Sequence, residues 1–144
     1  MLRPGILPRP RSRRAAVAVE MAVVLPVLLM VILGIVEFGR AMMVSNLMTS
    51  AAREGAREAA LPNRVDSEVK PVVVNRLTSA GISATTADVK VYVNGVETDS
   101  SNAISGDNIT VTVTISVQRT TWLPTNLFLK STDNIQGTAV MRRE

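Results

Sequence analysis

A single carboxylate, Glu20, lies near the start of a long apolar run that follows a basic leader. The chain carries no charge from Met21 to Val36, and extending the run back to Ala15 adds Glu20 as its one interruption. Desolvating such a charge in hydrocarbon costs on the order of a few kcal/mol. A chain keeps a carboxylate there when something specific pairs with it, so Glu20 is the first candidate functional residue.

Few other residues could do chemistry. The chain has no Cys and no His, which excludes disulfides, thiol catalysis, His-based metal sites and Ser-His-Asp chemistry. Asp99, Asp107 and Asn108 could be considered as calcium ligands, but their spacing matches no EF-hand loop and favours solvated turn residues. No Gly-rich phosphate loop is present, and no general base pairs with the many Ser and Thr residues. We expect no enzyme activity, no cofactor and no metal.

The positive charge is concentrated at the N-terminus. The chain has a net charge of +4 and a pI of about 10.3. Downstream of Arg14, however, 11 basic residues face 12 acidic ones, and the whole chain has only four aromatic residues. This distribution argues against a nucleic-acid partner. The arginines of the leader are Arg3, Arg9, Arg11, Arg13 and Arg14.

Arginines beside an apolar run keep their side of a membrane cytoplasmic. A spanning helix needs roughly 20 apolar residues, and no small-residue cleavage site of a secretory signal follows this run. The sequence therefore predicts a cytoplasmic leader at 1–14, with Arg9, Arg11, Arg13 and Arg14 setting the topology, and a transmembrane segment at 15–38. Pro26 lies inside it and either bends the helix or reflects the higher frequency of proline in membrane helices.

The helical pattern continues beyond the membrane over 39–62 and ends before Pro62-Asn63. One helix from Ala15 to Ala60 would be roughly 70 Å long, about twice the bilayer thickness, so its outer half needs a partner. Small residues on one face allow another backbone to approach closely. We expect this face to serve partly as a packing seam for helices of other subunits and partly as the cover of the chain's own sheet; these are its two alternatives. Its residues are Ala51, Ala52, Gly55, Ala56, Ala59 and Ala60.

Residues 63–144 predict a small extracytoplasmic α+β domain. A short helix over Val65–Gly81 is interrupted by Pro71, and Gly81 ends it. Alternating apolar residues predict strands at Val89–Val93, with a turn at Asn94-Gly95, at Ile109–Val117 and at Ile135–Met141. Residues 99–107 predict a mobile polar loop, and residues 122–129 an apolar loop or helical turn. The fold class is α+β, a long N-terminal helix followed by a short helix and an antiparallel sheet of three or four strands.

Several motifs in the first 60 residues resemble the TadE-like family, pilin-like proteins of the bacterial tight-adherence (Tad/Flp) pilus system. They cover about residues 15 to 60, and the final Met141-Arg142-Arg143-Glu144 is similar to members of the family more weakly. The motifs are, in order, Val19-Glu20, Leu25-Pro26, Glu37-Phe38-Gly39-Arg40 and Ala52-Arg53-Glu54-Gly55-Ala56-Arg57.

The resemblance implies a pilin-like fold and a minor pilin or pseudopilin of the inner membrane. Its implied partners are other pilins, a prepilin peptidase and the pilus assembly platform. The peptidase would cut between Ala15 and Ala16, where Ala15 replaces the usual Gly. The new ammonium group of Ala16 could then pair with Glu20 of a neighbouring subunit and set the helix register; otherwise Glu20 snorkels to the headgroups near Arg14. The alternative function is a permanently anchored adhesion or binding module that is not processed.

Overall fold

The longest element is the helix α1 (Arg11–Ala59), which contains 49 residues. The computed structural model describes residues 11–120 and 133–144; the region predicted as an apolar loop or helical turn, 122–129, lies outside them. The chain forms two units, Met1–Val36 and Glu37–Glu144, and α1 contributes to both. The predicted long N-terminal helix is confirmed.

In the first unit the described residues are all helical. The helix begins at Arg11, four residues before the predicted start at Ala15, because Arg and Ala are both good helix formers and nothing between them breaks the helix. Pro26 lies within the helix, which is assigned without interruption on both sides. The predicted bend at Pro26 stays a prediction.

The second unit is an α+β domain. After α1 come α2 (Asp66–Ser79), β1 (Val89–Val93), β2 (Val96–Glu97), β3 (Asn108–Ser116) and β4 (Asn134–Arg142). The strands form one sheet in the order β2-β1-β3-β4, and all neighbouring strands are antiparallel. The predicted α+β class is therefore confirmed, with four strands in the sheet.

The turns form where the sequence places residues that tolerate positive φ. Asn94 and Gly95 have φ values of 50° and 85°, as a two-residue hairpin turn between β1 and β2 requires. Gly81 has φ 79° just after α2, where Ile82 N donates to Leu77 O. Pro71 does not interrupt α2, contrary to the prediction, because proline removes only one helical hydrogen bond and its side chain is on the exposed face.

The core lies between one face of the sheet and the buried faces of α1 and α2. Alternate residues of β1 and β3 point into it, which matches their period of two. Helix α2 contributes Val69, Val73 and Leu77, four residues apart and fully buried. Helix α1 contributes Val44 and Met48, followed by the small residues of its outer half.

Two glycines allow the close contacts of this core. A Cβ on Gly55 of α1 would collide with Cγ2 of Val73 in α2. A Cβ on Gly137 of β4 would lie 2.5 Å from both the carbonyl carbon of Met48 and the backbone nitrogen of Thr49. Helix α1 therefore lies directly on β4 at Gly137, backbone against backbone.

The segment 99–107, predicted as a mobile loop, is tied into the domain by hydrogen bonds. Ser100 is fully buried: its N donates to Asp66 Oδ1 at 3.0 Å, its Oγ donates to Arg64 O at 2.9 Å, and its O accepts from Arg143 at 2.7 Å. Asp99 accepts from Asp66 N in return. These four bonds join the start of α2 to the end of the sheet, and we call them the Ser100 clasp.

We expect Gly137→Ala to lower the free energy of unfolding of the domain by about 1–3 kcal/mol, because overpacking against a backbone cannot be relieved by a side-chain rotation. Urea unfolding of the full chain in detergent, followed by circular dichroism, measures this. Gln136→Ala, at the adjacent exposed position, is the matched control and should change the midpoint little. Equal midpoints for the two variants would show that α1 does not lie on β4 as described.

Candidate functional site

The apolar half of α1 has no cover within the described chain. Between Ala15 and Val36 every large apolar side chain except the half-buried Leu33 is exposed. The helix is long and apolar enough to cross a membrane. Because backbone polar groups in a helix bond to one another, such a segment can enter hydrocarbon without unpaired backbone groups. This surface therefore fits a membrane anchor.

Glu20 lies on this exposed surface. Its side chain makes no hydrogen bond and no ion pair with any described residue, and the residues one turn away on its face are Ala16, Val17, Val23 and Val24. None of them can donate a proton or carry a side-chain charge. Arg13, also exposed, is seven residues and about 10 Å back along the helix axis. A close partner for the carboxylate of Glu20 therefore has to come from outside this stretch of α1.

The bond between Ala15 and Ala16 lies in the second turn of α1, and both side chains are exposed. A peptide bond in a helix has its carbonyl oxygen in the intrahelical ladder, so a peptidase needs this turn to unwind. The end of a helix has unpaired backbone groups and frays readily. Of the arginines predicted to set the topology, Arg13 is exposed; Arg9 and the side chains of Arg11 and Arg14 lie outside what the structure describes.

The surroundings of α1 change at Glu37, where one side of the helix becomes buried. This residue is 5% exposed, whereas the next residue, Phe38, is 64% exposed. One carboxylate oxygen of Glu37, Oε2, is buried without a hydrogen-bond partner in the described part of the chain. One turn later Arg40 Nε donates to Thr120 O at 2.6 Å. Neither the burial of Glu37 nor the bond from Arg40 is predictable from the sequence, where both residues simply follow the apolar run as charged residues.

The small-residue face of α1 is occupied by the chain itself. Ala51, Ala52, Ala56 and Ala59 are fully buried, and Gly55 is buried against Val73 of α2. Ala60, just past the helix, is half-buried against the same core. Of the two alternatives for this face, the structure shows the one in which it packs within its own domain.

The residues considered as calcium ligands hold turns. Asp107 accepts from Ile104 N at 2.9 Å and from Asn94 Nδ2 at 2.8 Å, and these two bonds lower the pKa of its carboxyl group. Bonds from Ser101 lower the pKa of Asp99 in the same way. Asn108 N donates to Asn94 Oδ1. Among the described residues no three acidic side chains come together in a way that could hold a metal ion.

These observations define the class of protein: one long helix whose first half fits a membrane anchor, and a small α+β domain built on its second half. Residues 15–57 match the family model of the TadE-like proteins, which confirms the resemblance seen in the motifs of this segment. The family match and the apolar helix together suggest a membrane protein associated with a Tad pilus. No curated protein and no solved structure matches the chain.

We expect Arg40→Ala to lower the free energy of unfolding of the domain by about 1.5–3 kcal/mol, because hydrogen bonds from charged groups are the stronger class. Arg53→Ala is the control: Arg53 is exposed on the same helix and makes no ion pair or hydrogen bond with a described residue. Urea unfolding compares the two. If both variants unfold at the same midpoint, the bond from Arg40 to Thr120 does not hold the helix to the sheet.

Proposed function

We propose that this protein is a pilin-like component, a pseudopilin or minor pilin, of a Tad/Flp-type pilus or secretion apparatus. It is inserted in the inner membrane with its N-terminus in the cytoplasm and its α+β domain outside. It assembles through the apolar half of α1. The proposal extends the family match over residues 15–57 to a specific role.

The proposal is carried by the position of Glu20 on an apolar, exposed part of α1. A carboxylate without an intrachain partner lies on an exposed apolar helix, where an unpaired charge is costly. A simple anchor gains nothing from such a residue. An assembling helix does gain, because a second subunit can supply the missing cation.

Processing would create that cation. A prepilin peptidase that cuts between Ala15 and Ala16 removes the arginine-rich leader and leaves an ammonium group on Ala16. Glu20 lies four residues further on, about 6 Å along the helix axis. If the ammonium group of one subunit pairs with Glu20 of the next, two parallel helices are offset by about one helical turn. Such a buried pair adds little net stability but fixes the register.

The partners that follow are other pilins, the prepilin peptidase and the assembly platform that moves subunits out of the membrane. The runner-up function, a permanently anchored adhesion or binding module, rests on Ala15, because a residue other than Gly before the cut favours an uncleaved leader. The two functions differ in what happens to residues 1–15.

We expect the protein isolated from its native cell to begin at Ala16, as read by N-terminal sequencing. Ala15→Gly should leave the cut in place and speed it, because Gly removes the remaining Cβ at the scissile bond and loosens the helical turn. Ala15→Leu should leave the leader attached. An intact leader on protein from piliated cells would contradict the processing step and favour the anchored module.

We expect Glu20→Ala to abolish assembly into the pilus while the protein still inserts in the membrane, because the cation of the neighbouring subunit loses its partner. Recovery of the protein in sheared pili, against recovery in the membrane fraction, measures this. Val19→Ala is the matched control, since it removes apolar surface next to Glu20 without changing charge. Normal assembly of Glu20→Ala would show that Glu20 is a passive residue of an anchor.

A further inference from the structure

The two edges of the sheet differ in how they are protected. In the order β2-β1-β3-β4, the edge strands are β2 and β4. Strand β2 has only two residues, and its Glu97 forms an ion pair with Lys90 of β1. Strand β4 has nine residues and carries neither a charge nor a proline from Asn134 to Met141. Natural sheets protect exposed edges by short strands, charges or proline, and β4 lacks these protections along most of its length.

The register of β4 shows which of its backbone groups face this edge. Val117 N donates to Asp133 O, and both residues continue the register of β3 and β4. Because hydrogen-bonded pairs alternate with non-bonded pairs in an antiparallel ladder, the odd-numbered residues of β4 bond to β3. The even-numbered residues turn their N–H and C=O groups to the edge, where no backbone group of another described residue bonds to them. All of them are exposed: Asn134, Gln136, Thr138, Val140 and Arg142.

A cavity of about 340 Å³ lies at the end of this edge, between the end of α1 and the end of β4. Ala60, Leu61 and Met141 contribute to its lining. Met141 is on the side of β4 that faces α1, since it lies opposite the buried Ile109. A strand added along β4 would place alternate side chains on this side of the sheet. In such strand addition, backbone hydrogen bonds give affinity and side-chain pockets give specificity.

The surroundings of the cavity carry an excess of positive charge. The charged residues that line it are Arg57, Arg142 and Glu144, and Arg53 is exposed one turn before Arg57. Neither Arg53 nor Arg57 has an ion-pair partner among the described residues, because their acidic neighbours on α1 are paired with other parts of the domain. Like charges four residues apart destabilise a helix, and a carboxylate from a partner would offset this repulsion.

We propose that the open edge of β4 and the adjacent cavity bind an extended acidic segment of another protein as an added antiparallel strand. The even-numbered residues of β4 bond to the backbone of the segment. A Glu side chain of the segment enters the cavity, where the guanidinium group of Arg57 pairs with its carboxylate. The inference goes beyond the proposed function, because it concerns the domain and not the apolar half of α1.

A second copy of β4 fits this edge poorly. Antiparallel pairing of two β4 strands relates the copies by a two-fold axis perpendicular to the sheet. Helix α1 lies along one face of the sheet, so this axis reverses its direction. Two copies inserted in one membrane with the same topology cannot meet in this way.

The test measures amide hydrogen exchange by NMR on the isotope-labelled full chain in detergent micelles. The probe is a capped peptide, Thr-Val-Thr-Glu-Thr-Val-Thr, in which the Val and Glu side chains share one face. A first control peptide has Lys in place of Glu. A second control peptide has N-methyl groups on the Thr residues that flank Glu, because their amides are the ones that would bond to β4.

We expect the Glu peptide to slow exchange about tenfold or more at the amides of Gln136, Thr138 and Val140, which become hydrogen-bonded. Exchange at Gly137 and Ala139 should not change, since these residues already bond to β3. The Lys peptide and the N-methylated peptide should protect none of these amides at the same concentration.

Two variants test the residues involved, with the affinity of a fluorescent Glu peptide measured by anisotropy. Arg57→Ala should weaken binding about tenfold, equivalent to 1.4 kcal/mol. Arg76→Ala, which removes an exposed arginine of α2, should leave the affinity unchanged. Thr138→Pro should abolish binding, because it removes an outward N–H and no bond to β3. If circular dichroism shows that Thr138→Pro does not fold, the N-methylated peptide decides the same point.

Equal binding of the Glu and Lys peptides, or of the N-methylated and unmodified peptides, would overturn the inference. So would slow exchange of the even-numbered amides before any peptide is added, because the edge would then already be occupied. If that slow exchange increases with protein concentration, the occupant is a second copy of the chain. None of these results bears on the proposed function, which is tested by the N-terminus and by Glu20→Ala.

Discussion

One continuous helix, α1, is apolar and exposed along its first half and packed against its own domain along its second half. Most of the structure follows from this constraint. Between Met21 and Val36 the side chains of α1 are apolar and largely exposed, which fits a segment that enters hydrocarbon. From Glu37 onward one face is covered by the chain itself. The sheet must therefore pack against the second half of this long helix. Small residues on α1 and Gly137 on β4 meet this demand, because they let the sheet approach the helix at backbone distance.

Two glycines mark the closest contacts made inside the domain. At Gly55 of α1 and Gly137 of β4, neighbouring atoms occupy the space that a Cβ would need, whereas at Gly39 no described atom lies within 4 Å of that position. The buried small-residue face cannot also hold another subunit unless the domain opens. A second helix that packs on α1, as the proposed function requires, is then left with the apolar half of α1.

The elements with a local pattern were predictable, and those that depend on distant partners were not. Strict alternation identified β1 and β3, and Asn94-Gly95 identified the hairpin turn, because these signals lie within a few residues. The Ser100 clasp joins residues 33 to 43 positions apart and leaves no periodic trace. The Asx turn of Asp99 and Ser101 was a local hint that this loop is fixed. Nothing in the sequence distinguished Glu37, which is buried, from an exposed charge at a membrane edge.

The Ser100 clasp and β4 also determine when the domain can form during synthesis. Chains emerge N-terminus first, at about 5–20 residues per second. Helix α1 therefore leaves the ribosome well before Gly137 and Arg143, which are needed to cover its outer half and to close the clasp. Its apolar half is complete during that interval, while its outer half has no sheet to pack on. The order of synthesis thus delays closure of the domain until the whole of α1, including its apolar half, has been made.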